Sequence, residues 1–177
     1  REHACATVIA GLRAAIQGVP FMPVAGLTGS QLPAARGFAA VRDPYSEAEV
    51  YVIPALMPDV ALIHVQEADA EGNGRIIGTR FEDVLMAQAA RRVILTAERI
   101  ADGASFAANP ESVAIPGFLV DAVVEVPGGA WPFSCTPAYT WDAEYLGRWV
   151  QVARDPEAAR AFIEAYIVAP RAAGIPA

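Results

Sequence analysis

Apolar positions along this chain follow two patterns, a helical repeat of three and four residues and short unbroken runs bounded by glycine and proline. Val8, Ile9, Leu12, Ala15 and Ile16 follow the first, which predicts an amphipathic helix over 3–17, stopped by Gly18 and Pro20. Residues 19–33 carry Pro20, Pro23 and Pro33 with glycines at 26 and 29, and predict a short strand followed by a loop. Residues 34–58 read as irregular, with a turn signal at Asp43-Pro44 and one strand-like piece over 50–53. Then comes an unbroken run, Val60, Ala61, Leu62, Ile63, the pattern of a central parallel strand covered on both faces. The character changes at His64. Gln66, Glu67, Asp69, Glu71 and Asn73 follow, with Gly72 and Gly74 among them, and residues 64–73 read as a polar loop where that strand stops.

Downstream, 75–79 is a short extended piece, and Thr79 with Glu82 has the form of a capping box opening a helix over 80–90. Residues 92–97, RVILTA, predict a second buried strand. Strand, helix and strand in that order make a parallel crossover unit. A loop over 102–110 and a third strand over 118–126 lead into residues 127–139, dense in Gly, Pro and aromatics. Two helices follow, one beginning near Asp142, the other begun by Asp155 with Pro156 in its first turn. Ala158, Ala161, Phe162, Ala165 and Tyr166 line one face of the latter. The whole reads as one α/β domain over 1–177 with a mostly parallel sheet. Ligands bind beyond the carboxyl ends of strands in such sheets. The loop 64–73 and the turn around Gly26, Gly29 and Ser30 are therefore expected together at that edge, as part of a pocket or subunit interface.

Composition narrows the function classes. A net charge of −7, with thirteen arginines and no lysine, excludes a nucleic-acid surface built on clustered basic residues. No apolar stretch approaches the ~20 residues needed to span a bilayer, and no signal peptide opens the chain. Cys5 and Cys135 lack any paired spacing, so neither a disulfide framework nor a zinc site is expected, and the compartment reads as the cytoplasm. The chain begins without Met inside a helical pattern, which reads as an N-terminally incomplete protein.

Candidate chemistry is sparse. The glycines of residues 72–78 have the wrong spacing for a dinucleotide fingerprint and lead into a strand. His64, at a strand end, has the plain reading of a hydrogen-bonded structural group. Asp69 and Asn73 read as residues that tie down their own turn near a ligand site, and Asp69→Ala is expected to cost on the order of 1 kcal/mol. Glu98 reads as a solvated loop residue rather than a carboxylate at a strand's end. Trp131, in the loop 127–139, is large apolar surface that needs cover, from the chain's own Phe162 and Tyr166, a partner subunit or an acyl group.

Several stretches together resemble the alpha subunit of class I coenzyme A transferases, in the glutaconate CoA-transferase-like branch. They are GVPFMP (18–23), the Gly-Ser of LTGSQL (27–32), DPY (43–45), PALMPDVALIHVQEADAEGN (54–73), AQAARRVILTAERI (87–100), VDAVVEVPGGAWP (120–132) and YTWDAEYL (139–146). The resemblance implies a three-layer α/β sandwich of the kind shared with sugar-phosphate isomerases. It also implies transfer of CoA between an acyl-CoA and a carboxylic acid through a glutamyl-CoA thioester. That glutamate belongs to a beta-type subunit in the family, and no motif here matches it. The chain is then one half of a heterodimer or heterotetramer, with coenzyme A thioesters as substrates and no bound cofactor or metal. Its pocket or interface candidates are Gly26, Gly29, Ser30, His64, Gln66, Asp69, Gly72, Asn73 and Trp131.

The chain departs from the pattern at three places. Many relatives have Arg where this chain has Ala25, an acid where it has Gln31, and His where it has Trp131. These leave the acyl substrate open, together with a second reading as part of a hydrolase that opens rings in steroid-derived CoA thioesters. A third reading, a non-catalytic ligand-binding domain of the same fold, calls for a DNA-binding segment, which these residues do not contain.

Overall fold

Backbone pairing carries the central strand well past the point where its apolar run ends. In the computed structural model, which describes residues 3–168 with side chains through residue 165, the elements follow as α1 (Cys5–Ile16), β1 (Phe21–Val24), α2 (Leu32–Arg36), β2 (Ala40–Arg42), β3 (Glu49–Pro54), β4 (Ala61–Ala68), β5 (Gly74–Arg75), α3 (Asp83–Ala89), β6 (Val93–Ile100), α4 (Gly103–Ala108), β7 (Ala122–Glu125), α5 (Ala143–Val152) and α6 (Pro156–Val168). Strand β4 pairs in parallel with β6 from Ala61↔Val93 to Ala68↔Ile100, and β6 pairs in parallel with β7. The short β5 closes the other edge antiparallel, giving the order β5-β4-β6-β7. The α/β class and the parallel β4-α3-β6 crossover are as the sequence pattern predicts. His64, Gln66 and Glu67, expected in a loop, belong to β4.

A second sheet, β1-β3-β2, is wholly antiparallel. Pro23 is tolerated in β1 because β1 is an edge strand with one side free of ladder bonds. Helix α1 packs on both β1 and α3 and so joins the two sheets. Its Gly11 is the contact point: a Cβ there would stand 2.9 Å from Leu56 Cβ.

The main core lies on one face of the larger sheet, where Ile63, Val65, Val93, Leu95 and Ile115 are buried with Ala87 of α3. The opposite face differs from the sequence expectation of cover on both sides. Leu62 is 68% exposed and Val124 48%. An unbroken apolar run does not report which side is covered, and here the accessibility alternates along β4 instead. The carboxyl-end half of that face is covered by the loop 127–139 and, at Gln66, by the segment around Ile77.

Four further differences are local. Helix α3 begins at Asp83, and no side chain caps it, so the Thr79/Glu82 box does not form; residues 76–82 form an irregular segment tied to β4 where Ile77 is bonded to Gln66. Residues 102–110, expected as loop, contain α4, whose N-cap Asp102 accepts from the Ala104 N–H at 3.0 Å. Strand β7 starts four residues late because Gly117–Leu119 forms a tight turn held by Asn73. Helix α2 begins in the stretch read as loop and ends in the one read as irregular, where strand β2 also falls. The two terminal helices start as predicted, with Asp142 and Asp155 accepting from first-turn N–H groups. No helix of the described residues is long and apolar enough to cross a membrane.

Candidate functional site

Register places three polar side chains together on the face opposite the main core. His64 of β4 lies directly opposite Thr96 of β6, and Glu98, two residues further, points to the same side. The His64 Nδ1 and Thr96 Oγ1 are 2.9 Å apart, and His64 Nε2 is 2.7 Å from Glu98 Oε1. An ionised carboxylate only accepts, so Nε2 carries the proton toward Glu98. The loop 127–139 folds over this pair, turning through cis peptides at Trp131-Pro132 and Thr136-Pro137. Gly129 passes so close that a Cβ would sit 2.6 Å from His64 Cε1, which no side chain permits.

That loop completes the carboxylate's shell. Tyr139 donates its hydroxyl to Glu98 Oε1 at 2.5 Å, and the Gly128 N–H donates to Oε2 at 2.7 Å. The Ala130 N–H in turn donates to the Tyr139 oxygen at 2.9 Å. Burial pushes the Glu98 carboxyl up, but the Gly128 N–H, the Tyr139 hydroxyl and His64 together outweigh it and hold the group below its ordinary value of 4.5. Burial, and then the negative charge and hydrogen bonding of Glu98, push the Cys135 thiol up to about 11. Burial and the bond to Glu98 likewise raise Tyr139. Glu98 is thus a largely buried anion surrounded by committed donors, not the solvated loop residue its sequence context suggests. Its side chain is 11% exposed. One ligand atom from each of His64, Glu98 and Cys135 lies within 4.8 Å of the others, a spacing a metal ion could use. In this arrangement both imidazole nitrogens and both carboxylate oxygens are already engaged in hydrogen bonds.

Next along the same face, Gln66 ties two loops to β4. Its Oε1 accepts from the Ile77 N–H at 3.0 Å, while Nε2 donates to the Ile77 carbonyl at 3.2 Å and to the Thr136 carbonyl at 2.7 Å. Between those loops opens a cleft of about 470 Å³, with His64, Gln66, Ile77, Phe81, Asp83 and Cys135 in its lining. On the other side of the strand, Glu67 is clasped by Arg75 and Arg99. Arg75 also donates from Nε to Ser112 Oγ at 2.8 Å and lies over the Phe106 ring at 4.2 Å.

Asp69 and Asn73 form the turn their spacing suggests. Asp69, 2% exposed, accepts from the Glu71 N–H at 3.1 Å, the Asn73 N–H at 2.8 Å and the Asn73 amide at 2.8 Å. Asn73 Oδ1 then accepts from the Gly117 N–H at 2.9 Å, and Gly72 takes the positive φ of 89° that the turn demands. These three residues border shallower hollows, apart from the cleft lining. Gly26, Gly29 and Ser30 sit on an exposed turn of the smaller sheet's region. There Leu27 packs with Ala10 and Ile53, and Ser30 Oγ accepts from the Leu32 N–H. None of the three is in the cleft lining. Trp131 packs on the chain's own Tyr145, ring centroids 4.3 Å apart, and donates to Asp142 Oδ2 at 3.2 Å. Tyr145 stacks in turn on Phe162 at 4.9 Å. The Tyr166 side chain, the other expected cover, lies outside the described residues.

Glu98, Thr96, Tyr139 and Cys135 escape a reading of the sequence by motif. One signal was available: Ile94, Thr96 and Glu98 keep the two-residue repeat of a strand, as do Leu62, His64 and Gln66. Two parallel strands with polar residues at matching offsets put them on one face.

The family model described as "Coenzyme A transferase" matches residues 4–126. The A-type subunit of glutaconate CoA-transferase from Acidaminococcus fermentans is 34% identical over 171 residues, which cover 87% of this chain and 53% of that protein. The crystal structure of that organism's glutaconate coenzyme A-transferase superposes with a TM-score of 0.83, covering 90% of this chain and 56% of that one at 32% identity. The A-type subunit of 3-oxoadipate CoA-transferase from Pseudomonas knackmussii is 32% identical over 167 residues, 94% of this chain and 58% of that protein. A variant of the decarboxylase AibA/AibB matches with a TM-score of 0.80 at 36% identity, covering 95% of this chain and 61% of that one. The chain spans about half the length of the curated relatives it matches.

Proposed function

The chain belongs to the coenzyme A transferase family, and from that premise we propose that it is an alpha-type subunit of an acyl-CoA:carboxylate CoA-transferase. Two relatives at 32% and 34% identity are by name the A-type subunits of such enzymes, which supports a beta-type partner for this chain. In the reaction, a partner glutamate attacks the acyl-CoA carbonyl, forming a mixed anhydride and releasing CoA thiolate. The thiolate then attacks the glutamyl carbonyl, releasing the first acid and leaving a glutamyl-CoA thioester. The acceptor acid reverses both steps, so each bond made is matched by one broken.

One observation supports the assignment of this chain to the wall of the acyl pocket: Cys135 in the lining of the cleft and Glu98 behind its His64 are both committed. Glu98 accepts three hydrogen bonds, and the Cys135 thiol stays protonated at neutral pH. Neither is available as a nucleophile. Gln66 ties both walls to β4, and residues 76–79 and 134–136 line the space between them. Such a site positions and desolvates a substrate for chemistry supplied from elsewhere.

The test is reconstitution. The purified polypeptide alone is expected to transfer no CoA, and its complex with a beta-type subunit to exchange CoA between an acyl-CoA and free acids. A glutamyl-CoA adduct, cleaved by hydroxylamine, should be trapped on the partner. Transfer by this chain without a partner would overturn the proposal. Release of free CoA with no transfer to any acid would instead assign the complex to the hydrolases.

A further inference from the structure

The cleft between β4 and the loops at 76–83 and 130–136 has a mixed apolar and polar lining, and its charge is one-sided. Ile76, Ile77, Phe81 and Ala130 supply apolar lining, while Gln66, Ser134 and Thr136 supply uncharged polar groups. Asp83 contributes a carboxylate, whose Oδ2 accepts from the Phe81 N–H at 3.2 Å. No arginine is among the described lining residues, and the chain has no lysine at all. Arg80, between Thr79 and Phe81 in sequence, is exposed and not part of the lining. His64 is engaged at both ring nitrogens, by Thr96 and by Glu98. Behind the imidazole, Glu98 adds a second negative charge, kept ionised by its three donors.

A carboxylate taken out of water needs a counter-charge or several donors, and otherwise costs more than its contacts return. A second carboxylate at the far end of an acyl group would enter this cleft beside Asp83, with Glu98 behind the His64 ring and no arginine among the described lining residues. An alkyl end would meet Ile77 and Phe81, and a hydroxyl or keto oxygen would find the Ser134 and Thr136 region. We infer that this cleft takes acyl groups without a second carboxylate, apolar or carrying uncharged oxygen, and excludes dicarboxylic acyl groups. The inference rests on the cleft being the acyl pocket proposed above, and names the substrate class for it.

Valeryl-CoA and glutaryl-CoA make the comparison clean, since they share chain length and differ in a terminal methyl against a carboxylate. Binding of each to the complex with its beta-type subunit is measured calorimetrically, and the products of incubation with free acids are identified in parallel. Because the cleft is partly open to water, the expected preference for valeryl-CoA is at least about tenfold in Kd rather than the larger factors of a sealed pocket. Thr79→Arg, at an exposed lining position, should narrow or reverse that preference by supplying the missing cation, and Asp83→Asn should narrow it while keeping the oxygen that accepts from Phe81. Tighter binding of glutaryl-CoA by the unaltered complex would overturn the inference even if CoA is transferred. Preference for valeryl-CoA that neither substitution alters would overturn it as well. Preference for valeryl-CoA with the predicted responses but no transfer to any acid would uphold the inference and remove the transferase reading. Binding of neither thioester would overturn both.

Discussion

Replacing Glu98 by Gln keeps the shape of the side chain and removes its charge, so it measures what the buried anion contributes. Three donors converge on the carboxylate: His64 Nε2, the Tyr139 hydroxyl and the Gly128 N–H. A hydrogen bond to a charged group contributes roughly 1.5–3 kcal/mol net, a neutral one roughly 0.5–1.5. Gln retains one oxygen, which can serve the His64 and Tyr139 donors or the Gly128 donor but not all three. Its NH₂ then faces a donor on the other side. Losing charge assistance on the retained bonds and leaving one donor opposed gives an expected destabilisation of about 2–4 kcal/mol, large for an isosteric change. Urea unfolding followed by circular dichroism reads this as a lower midpoint at unchanged m-value. Tyr139→Phe should cost about 1–2 kcal/mol, since it removes one donor from Glu98 and strips the Ala130 N–H of its acceptor. The double variant should be less destabilised than the sum of the singles by about 1 kcal/mol or more, as expected of groups in direct contact. Stability of Glu98→Gln within about 0.5 kcal/mol of the parent would refute the reasoning, because it would mean that the carboxylate does not organise the loop over His64.

The same carboxylate sets a pH dependence: its folded pKa is below 4.5, so the unfolded chain binds more protons in acid, and its contribution is present above 4.5 and lost as pH falls through the folded value. An acid-unfolding series should show a shallower loss of stability for Glu98→Gln than for the parent. Asp69→Ala should cost about 3 kcal/mol in thermal or urea unfolding, more than a surface turn would suggest, because it orphans three donors at a residue only 2% exposed. Gly129→Ala should displace His64, with its Cβ 2.6 Å from the ring and 3.0 Å from the Val126 carbonyl, and be read as a large shift of the His64 resonances by NMR. Trp131→Ala should lower stability of this chain by about 2 kcal/mol through lost packing on Tyr145 and the bond to Asp142. An unchanged melting temperature would show that the loop is not anchored to α5.

How much of this was legible beforehand follows from the range of the interactions involved. Where a helix or turn is determined by neighbours in sequence, the one-dimensional pattern suffices. The Asp142 and Asp155 caps bond N–H groups two or three residues away, and Asp69 and Asn73 close a turn four residues apart, so their roles could be read directly. The β4-α3-β6 crossover was visible for a similar reason, since two buried strands flanking a short helical repeat leave few other arrangements. The long motif through residues 54–73, with the shorter pieces around it, placed the family.

Pairing across the sheet was beyond that reach. Whether β4 ends at Ile63 or Ala68 depends on β6 offering partners as far as Ile100, more than thirty residues away, and that choice moved His64, Gln66 and Glu67 from a loop into a strand. Glu98 looked solvated because nothing adjacent to it in sequence repays its burial. Its donors come from residues 64, 128 and 139, brought in by register and by a loop turning through two cis prolines. Residue types and local spacings determined the terminal helix caps, the Asp69 turn and the parallel crossover, and the resemblance of the long motif placed the family. The tertiary structure decided which carboxylate is buried, which imidazole is occupied and what charge the cleft presents, because each depends on desolvation and on donors from distant parts of the chain.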